Sequence, residues 1–207
     1  MNSLLIHGCY DSKTLDTLKD HGIKNFSFDL RGRSLNLVPF RELQNLLGKL
    51  TTERVFLTFE DDKKETITSF LNLLSNEPFV FTLILRDARD VSFYRNLGVP
   101  FYWMFNPDAE WEEILKVTEL KGILLPLKYQ LLYHKLPELW ENIDSRNLDV
   151  FLHAETFEET MFIKLSDEIK ISIDLSQEVE KSFRTVDQDK LQNMKIWRHL
   201  NENSAGQ

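Results

Sequence analysis

Short apolar runs alternate with amphipathic stretches from one end of the chain to the other. Ser3 to Ile6 is a brief run of the kind buried on both faces. Asp11 and Ser12 then offer helix caps, Leu15 and Leu18 supply an apolar face, and Gly22 offers a stop. The pattern repeats. Asn25 to Phe28 precedes a helix around Phe40 to Leu50, and Arg54 to Phe59 precedes one from Lys63 to Leu74. Phe79 to Leu85 leads into Val91 to Leu97, and Pro100 to Phe105 into Glu110 to Val117. Gly122 to Leu125 is followed by a helix over Tyr129 to Ile143, and Val150 to Leu152 by one over Phe157 to Leu165. Ile169 to Leu175 leads into a last helix from Asp187 to Leu200. Strict alternation without linkers implies parallel strands joined by helical crossovers. About eight such units close into a barrel. The expected fold is therefore a compact single-domain (βα)8 TIM barrel over residues 1–200, with a frayed polar tail over 201–207. An open doubly wound sheet shares the same periodicity.

Composition narrows the class without naming an activity. The 207 residues are 42% hydrophobic, enough for one full-sized core. Aromatic residues are plentiful (15 Phe, 4 Trp, 5 Tyr), which excludes collagen-like and disordered chains. A formal charge of −8 argues against nucleic-acid and anionic-membrane binding, since both need a basic surface. A single cysteine excludes an internal disulfide framework and a thiolate zinc site, and suits a reducing, cytoplasmic setting. No N-terminal stretch reads as a signal peptide. The longest apolar run, Pro78 to Leu85, is far short of the roughly 20 residues of a membrane span. Only 7 glycines occur, with no GxGxxG or GxxxxGKS/T pattern, so the standard phosphate-cradling loops are missing and no cofactor is implied.

In a barrel the ends of the strands share one face, where a site sits. The residues expected there include His7, Cys9, Asp29, Arg31, Arg33, Glu60, Asp61, Arg86, Asp87, Asn106, Lys128, His153 and Glu155. Read as a pocket, they offer His7 or His153 for acid–base work and Arg33 or Arg86 to clamp an anion. Read as an ordinary rim, they are solvated charges that pair with one another. A His7–His153 pair with Asp29 or Glu60 has acceptable metal-ligand types, but no diagnostic spacing supports it and no metal is expected. The bulky Phe101-Tyr102-Trp103-Met104-Phe105 strand is expected to fill the core, with Trp103 and Phe105 plugging space that a substrate could otherwise take. The stripe Leu191, Met194, Trp197 and Leu200 has the spacing of a helix's inner face.

Several stretches carry a likeness in their order and spacing. Ile6-His7-Gly8-Cys9-Tyr10 opens the chain, and Ser34-Leu35-Asn36-Leu37-Val38 follows the second strand. Phe93-Tyr94-Arg95-Asn96-Leu97-Gly98-Val99-Pro100 precedes the fifth, and Gly122-Ile123-Leu124-Leu125-Pro126 forms the sixth. Ile173-Asp174-Leu175-Ser176-Gln177-Glu178-Val179-Glu180 and Val186-Asp187-Gln188-Asp189-Lys190-Leu191 close it. Together they resemble phosphoribosylanthranilate isomerase, the small (βα)8 barrel family of tryptophan biosynthesis, over nearly the whole chain.

That resemblance implies an Amadori rearrangement of a phosphorylated aminosugar, run by a cysteine base ending strand one and an aspartate acid ending strand six. Here the base position is His7, with Cys9 two residues on, and the acid position is Pro126, which has no ionisable group. The arginine on the anthranilate side is matched by Asn36, with Arg31 and Arg33 nearby, and the family's Gln-x-His by Ile84-Leu85-Arg86. The family's phosphate glycines are replaced by Ala154-Glu155 and by Glu178. A carboxylate 4 Å from a unit negative charge costs roughly 4 kcal/mol at an effective dielectric of about 20. The expectation is a catalytically degenerate isomerase-like protein, a pseudoenzyme, with a binding or scaffolding role. The alternative is an active isomerase, or another isomerase or lyase, using displaced residues at the barrel mouth. A small anionic metabolite or a protein is the expected partner.

Overall fold

The computed structural model describes residues 4–156, 170–175, 179–182 and 185–192. The expected helix over 157–165, Glu178, the stripe residues Met194, Trp197 and Leu200, and the tail over 201–207 lie outside the described residues. Apolar runs too short for helices become strands because each must bury both faces. These are β1 (Leu4–His7), β2 (Asn25–Asp29), β3 (Arg54–Phe59), β4 (Thr82–Leu85), β5 (Phe101–Met104), β6 (Leu120–Pro126), β7 (Asp149–Ala154) and β8 (Lys170–Asp174). All pair in parallel with their sequence neighbours, and β1 pairs with β8. The sheet is a closed barrel in chain order. The (βα)8 expectation stands, and the open sheet is excluded by the β1–β8 pairing.

The crossovers run through α1 (Ser12–Asp20), α2 (Phe40–Leu47), α3 (Lys64–Leu73), α4 (Val91–Leu97), α5 (Trp111–Ile114), α6 (Gln130–Tyr133) and α7 (Pro137–Arg146). Asp11 caps α1 by accepting from the Thr14 backbone N–H at 2.9 Å, and Leu15 and Leu18 turn inward as the pattern predicts. The stretch expected as one helix over 129–143 is a 3₁₀ turn at Leu127–Tyr129 followed by α6 and α7. Pro137 explains the break, because it lacks an N–H and starts α7 at its first turn. The helix expected over 110–117 forms only the single turn of α5. An unforeseen antiparallel pair, β9 (Glu180–Ser182) and β10 (Thr185–Val186), precedes α8 (Gln188–Gln192), where Leu191 is buried. No described helix is long and apolar enough to cross a membrane.

Two apolar compartments result. Outward strand residues join the helices in one large belt, while Leu5, Phe56, Ile84, Tyr102, Met104, Leu124 and Phe151 fill the barrel itself. Each fully buried large side chain contributes roughly 1.5–3 kcal/mol by area. Trp103 and Phe105 belong to the belt, with Trp103 Nε1 donating to the Asp87 carbonyl at 3.2 Å. The plug expected of them is thus corrected: on β5 the interior is taken by Tyr102 and Met104. Gly122 makes this possible, since a Cβ there would come within 2.4 Å of the Tyr102 ring and 2.5 Å of the Asp149 carbonyl.

The N-terminal end of the barrel is sealed by charge. Tyr102 donates its hydroxyl to Asp149 and accepts from Arg54 Nη2 at 3.0 Å, and Lys170 donates to the other Asp149 oxygen. Arg54 and Lys170 also sit over the Phe56 and Phe151 rings, at 5.3 and 5.8 Å from the centroids.

Candidate functional site

The same inward alternation that fills the barrel delivers polar side chains to its C-terminal mouth. On β8 the outward residues are Ile171 and Ile173, so Ser172 and Asp174 face the interior. Register then places His7 opposite Asp174, and His153 opposite both Ser172 and Pro126. Arg86 reaches in from just beyond β4. His7, His153 and Ser172 are buried, while Asp174 is partly open to solvent.

Their hydrogen bonds form a directed chain. The two imidazoles meet edge to face with centroids 5.5 Å apart. Ser172 Oγ bridges them, 2.8 Å from His153 Nδ1 and 3.2 Å from His7 Nε2. Arg86 Nη2 faces His153 Nε2 at 3.4 Å, and its Nη1 donates to the two Asp174 oxygens at 3.0 and 3.2 Å. A guanidinium can only donate, so His153 accepts at Nε2 and carries its proton on Nδ1. That proton goes to Ser172 Oγ, the hydroxyl donates to His7 Nε2, and the His7 proton is left on Nδ1. Nδ1 of His7 is buried and has no partner among the described residues. An orphaned donor of this kind costs about 1–3 kcal/mol.

Burial dominates the titration of both imidazoles and outweighs the attraction of Asp174. It holds His7 well below the ordinary histidine value and brings His153 down to about 4. Burial works against the charge of Asp174 as well, but there Arg86 outweighs it and holds the carboxyl far below the usual range. At neutral pH the centre of the mouth therefore contains two neutral imidazoles, a carboxylate and a guanidinium.

Asp29 and Arg31 make a second cluster. Arg31 donates from Nε at 2.9 Å and Nη2 at 2.6 Å, its backbone N–H adds a bond at 3.0 Å, and Ser34 Oγ donates at 2.5 Å. Arg31 Nη1 also reaches Glu60 at 3.3 Å. Burial alone would lower the Arg31 pKa, but the Asp29 carboxylate outweighs it and raises it. Arg33 is exposed on the same turn. Lys128 and Glu155 form an exposed pair at 3.0 Å on the opposite rim.

Other residues selected from the sequence lie elsewhere. The chain turns at Gly8, with φ +76°, so Cys9 does not share the inward face of His7. Cys9 is buried in the belt, its thiol donates to the Asp11 carbonyl at 3.8 Å, and burial pushes its pKa up. Asn36 Nδ2 donates to the Leu175 carbonyl at 2.9 Å and packs over Gly8, where a Cβ would come within 2.6 Å of it. Pro126 ends β6 and offers only its carbonyl, which accepts from Tyr133 Oη at 2.7 Å. Asp61 and Asp87 are joined outside the centre, the Asp61 backbone N–H donating to Asp87 at 3.0 Å. Ser172 and Asp174 are not among the residues that strand-end reasoning selects. The signal for them was present, since Lys170-Ile171-Ser172-Ile173-Asp174 alternates polar and apolar in a strand whose outer face must be apolar.

No protein-family model and no curated protein sequence matches the chain. Solved structures do match it. The phosphoribosyl anthranilate isomerase of Thermus thermophilus superposes with a TM-score of 0.66 at 16% identity, covering 97% of this chain and 100% of that one. The Thermotoga maritima enzyme gives 0.66 at 15% identity over the full length of both chains. TrpF from Jonesia denitrificans gives 0.69 at 11%, covering 98% of this chain and 100% of that one. The likeness read from the sequence is thus shown for the fold, over nearly the whole chain.

Proposed function

We propose that this protein is a phosphoribosylanthranilate isomerase-like barrel that has lost the Amadori rearrangement and works by binding a small ligand at its mouth. The observation that carries this reading is the supply of protons. An aldose-to-ketose rearrangement needs a base and a protonated acid within reach of the same substrate. The buried centre of the described mouth offers two imidazoles held neutral by burial and an Asp174 held ionised by Arg86, and the ammonium of Lys128 is paired with Glu155 out on the rim. The acid position ends in Pro126. Phosphate fares no better, because Arg31 and Arg86 are both committed to carboxylates. A phosphate dianion near Asp29, Glu60 or Asp174 meets repulsion of roughly 4 kcal/mol per unit-charge pair at 4 Å and a dielectric of about 20.

The test is a direct assay following the loss of phosphoribosylanthranilate fluorescence, with folded protein at high concentration and no added metal. The expected result is no turnover above buffer. His7 favours the second reading, an active isomerase, because it stands at the family's base position with a neutral ring. Turnover abolished by His7→Gln would establish that reading and remove ours.

A further inference from the structure

Beyond a site for some small ligand, the side chains at the mouth specify a class. One nitrogen of His7, one nitrogen of His153 and a carboxylate oxygen of Asp174 all lie within 4.8 Å of one another. We propose that these three residues bind a late first-row transition-metal dication, Zn²⁺ or Ni²⁺ foremost, with Arg86 occupying the cation's place until the ion arrives. This rests on the reading of the mouth as a binding site and names what it binds.

The donor set selects the ion. Two imidazoles and one carboxylate suit zinc, nickel, copper and iron, whereas magnesium and calcium require oxygen. Ligand bonds of about 2.0–2.2 Å bring such donors to a little over 3 Å apart, so side chains that now offer donors within 4.8 Å of one another draw closer on the ion. Three protein ligands also leave a coordination position open, as in catalytic rather than structural sites.

The hydrogen bonds supply the supporting shell. Metal-bound imidazoles donate their other ring N–H to a fixed acceptor, which sets tautomer and orientation. Ser172 Oγ already touches one nitrogen of each ring, Nδ1 of His153 and Nε2 of His7. On metal binding the His7 proton moves from Nδ1 to Nε2 and the Ser172 hydroxyl turns its own proton away, so that Oγ accepts from both rings and the free nitrogens are His153 Nε2 and His7 Nδ1. The first faces the guanidinium of Arg86, and the second is a buried atom with no partner among the described residues. A metal ion gives His7 Nδ1 the partner that no described residue supplies. Arg86 now holds one positive charge on Asp174 and against His153. A dication brings two, and Arg86, on the loop beyond β4, swings outward to admit it.

Competition against a chromogenic chelator, with chelator-stripped full-length protein and no substrate, tests the proposal separately from the isomerase assay. Expected is one equivalent of Zn²⁺ or Ni²⁺ per chain and no uptake of Mg²⁺, with Co²⁺ giving intensified visible bands. His7→Gln and His153→Gln each weaken binding at least tenfold. Ser172→Ala weakens it about 10–100-fold through lost orientation. Arg86→Met tightens it at least tenfold, an effect that a merely structural arginine would not produce. Zn²⁺ should raise the melting temperature of the wild type but not of the double glutamine variant. No stoichiometric uptake by folded wild type and Arg86→Met overturns the proposal, as does uptake unchanged in the double glutamine variant.

Discussion

The two ends of the barrel use the same kinds of side chain to opposite effect. At the N-terminal end Arg54, Tyr102, Asp149 and Lys170 close on one another, and both cations lie over aromatic rings. At the mouth Arg86, Asp174, His153 and Ser172 form an equally ordered chain, but it runs out at a buried nitrogen of His7 with no partner among the described residues. A closed network stabilises and asks for nothing further. An open one retains an uncompensated polar atom at the end of a barrel where ligands bind. The contrast shows that charge content alone does not distinguish the two ends; at the mouth the network stops short of satisfying one of its own members.

Acid should separate the ends most sharply. The mouth histidines are neutral when folded and take up protons when unfolded, near the ordinary value of about 6.5. Between that pH and about 4 the unfolded chain binds more protons, so stability falls as pH falls. His153 alone accounts for about 3 kcal/mol, and His7 adds in the same direction. The N-terminal seal behaves differently. Burial raises the Asp149 carboxyl, but hydrogen bonds from Lys170 and Tyr102 outweigh it and lower the pKa. Its contribution is complete above the unfolded carboxylate value of about 3.9 and is lost only below it. Urea titrations from pH 7 to pH 4 measure this, and the double glutamine variant should flatten the slope. An unchanged slope in that variant would place the acid sensitivity outside the mouth.

Gly122→Ala attacks the sealed end through its backbone. The new Cβ must displace the Tyr102 ring and meets the Asp149 carbonyl, at a cost of about 2–3 kcal/mol. The measured loss should appear in the denaturant midpoint without any change at the mouth. Asp149→Asn is milder, about 1 kcal/mol, because the carboxylate is partly exposed and its pairing is screened. At the mouth, Arg86→Met strips the Asp174 carboxylate of its cation and should cost more than Asp149→Asn but no more than Gly122→Ala. A loss larger than that of Gly122→Ala would make the mouth a structural element and erase the comparison.

Part of this was legible in the residues themselves. Period and order announced the barrel, Asp11 announced its cap, and Pro126 announced a strand end without an ionisable side chain. The break at Pro137 was not read, because the apolar spacing from Tyr129 to Ile143 suggested one continuous helix. The inward face of β5 could not be read, because Tyr102, Trp103, Met104 and Phe105 are bulky on both faces and alternation carries no sign. Gly122, on a neighbouring strand, decides it by leaving room for one ring. Cys9 looked like a partner of His7 only while the strand was taken to continue, and the left-handed turn at Gly8 ends that.

The sequence by itself determined the strand–helix order, the lack of a proton donor at the end of β6, and the polar alternation of β8, since each is written in neighbouring residues. Only the tertiary structure decided that His7, Arg86, His153, Ser172 and Asp174 meet. They come from strands 1, 7 and 8 and the loop after strand 4, separated by up to 165 residues between hydrogen-bonded partners. Barrel closure and strand register, set by the packing of the whole interior, bring them within bonding distance.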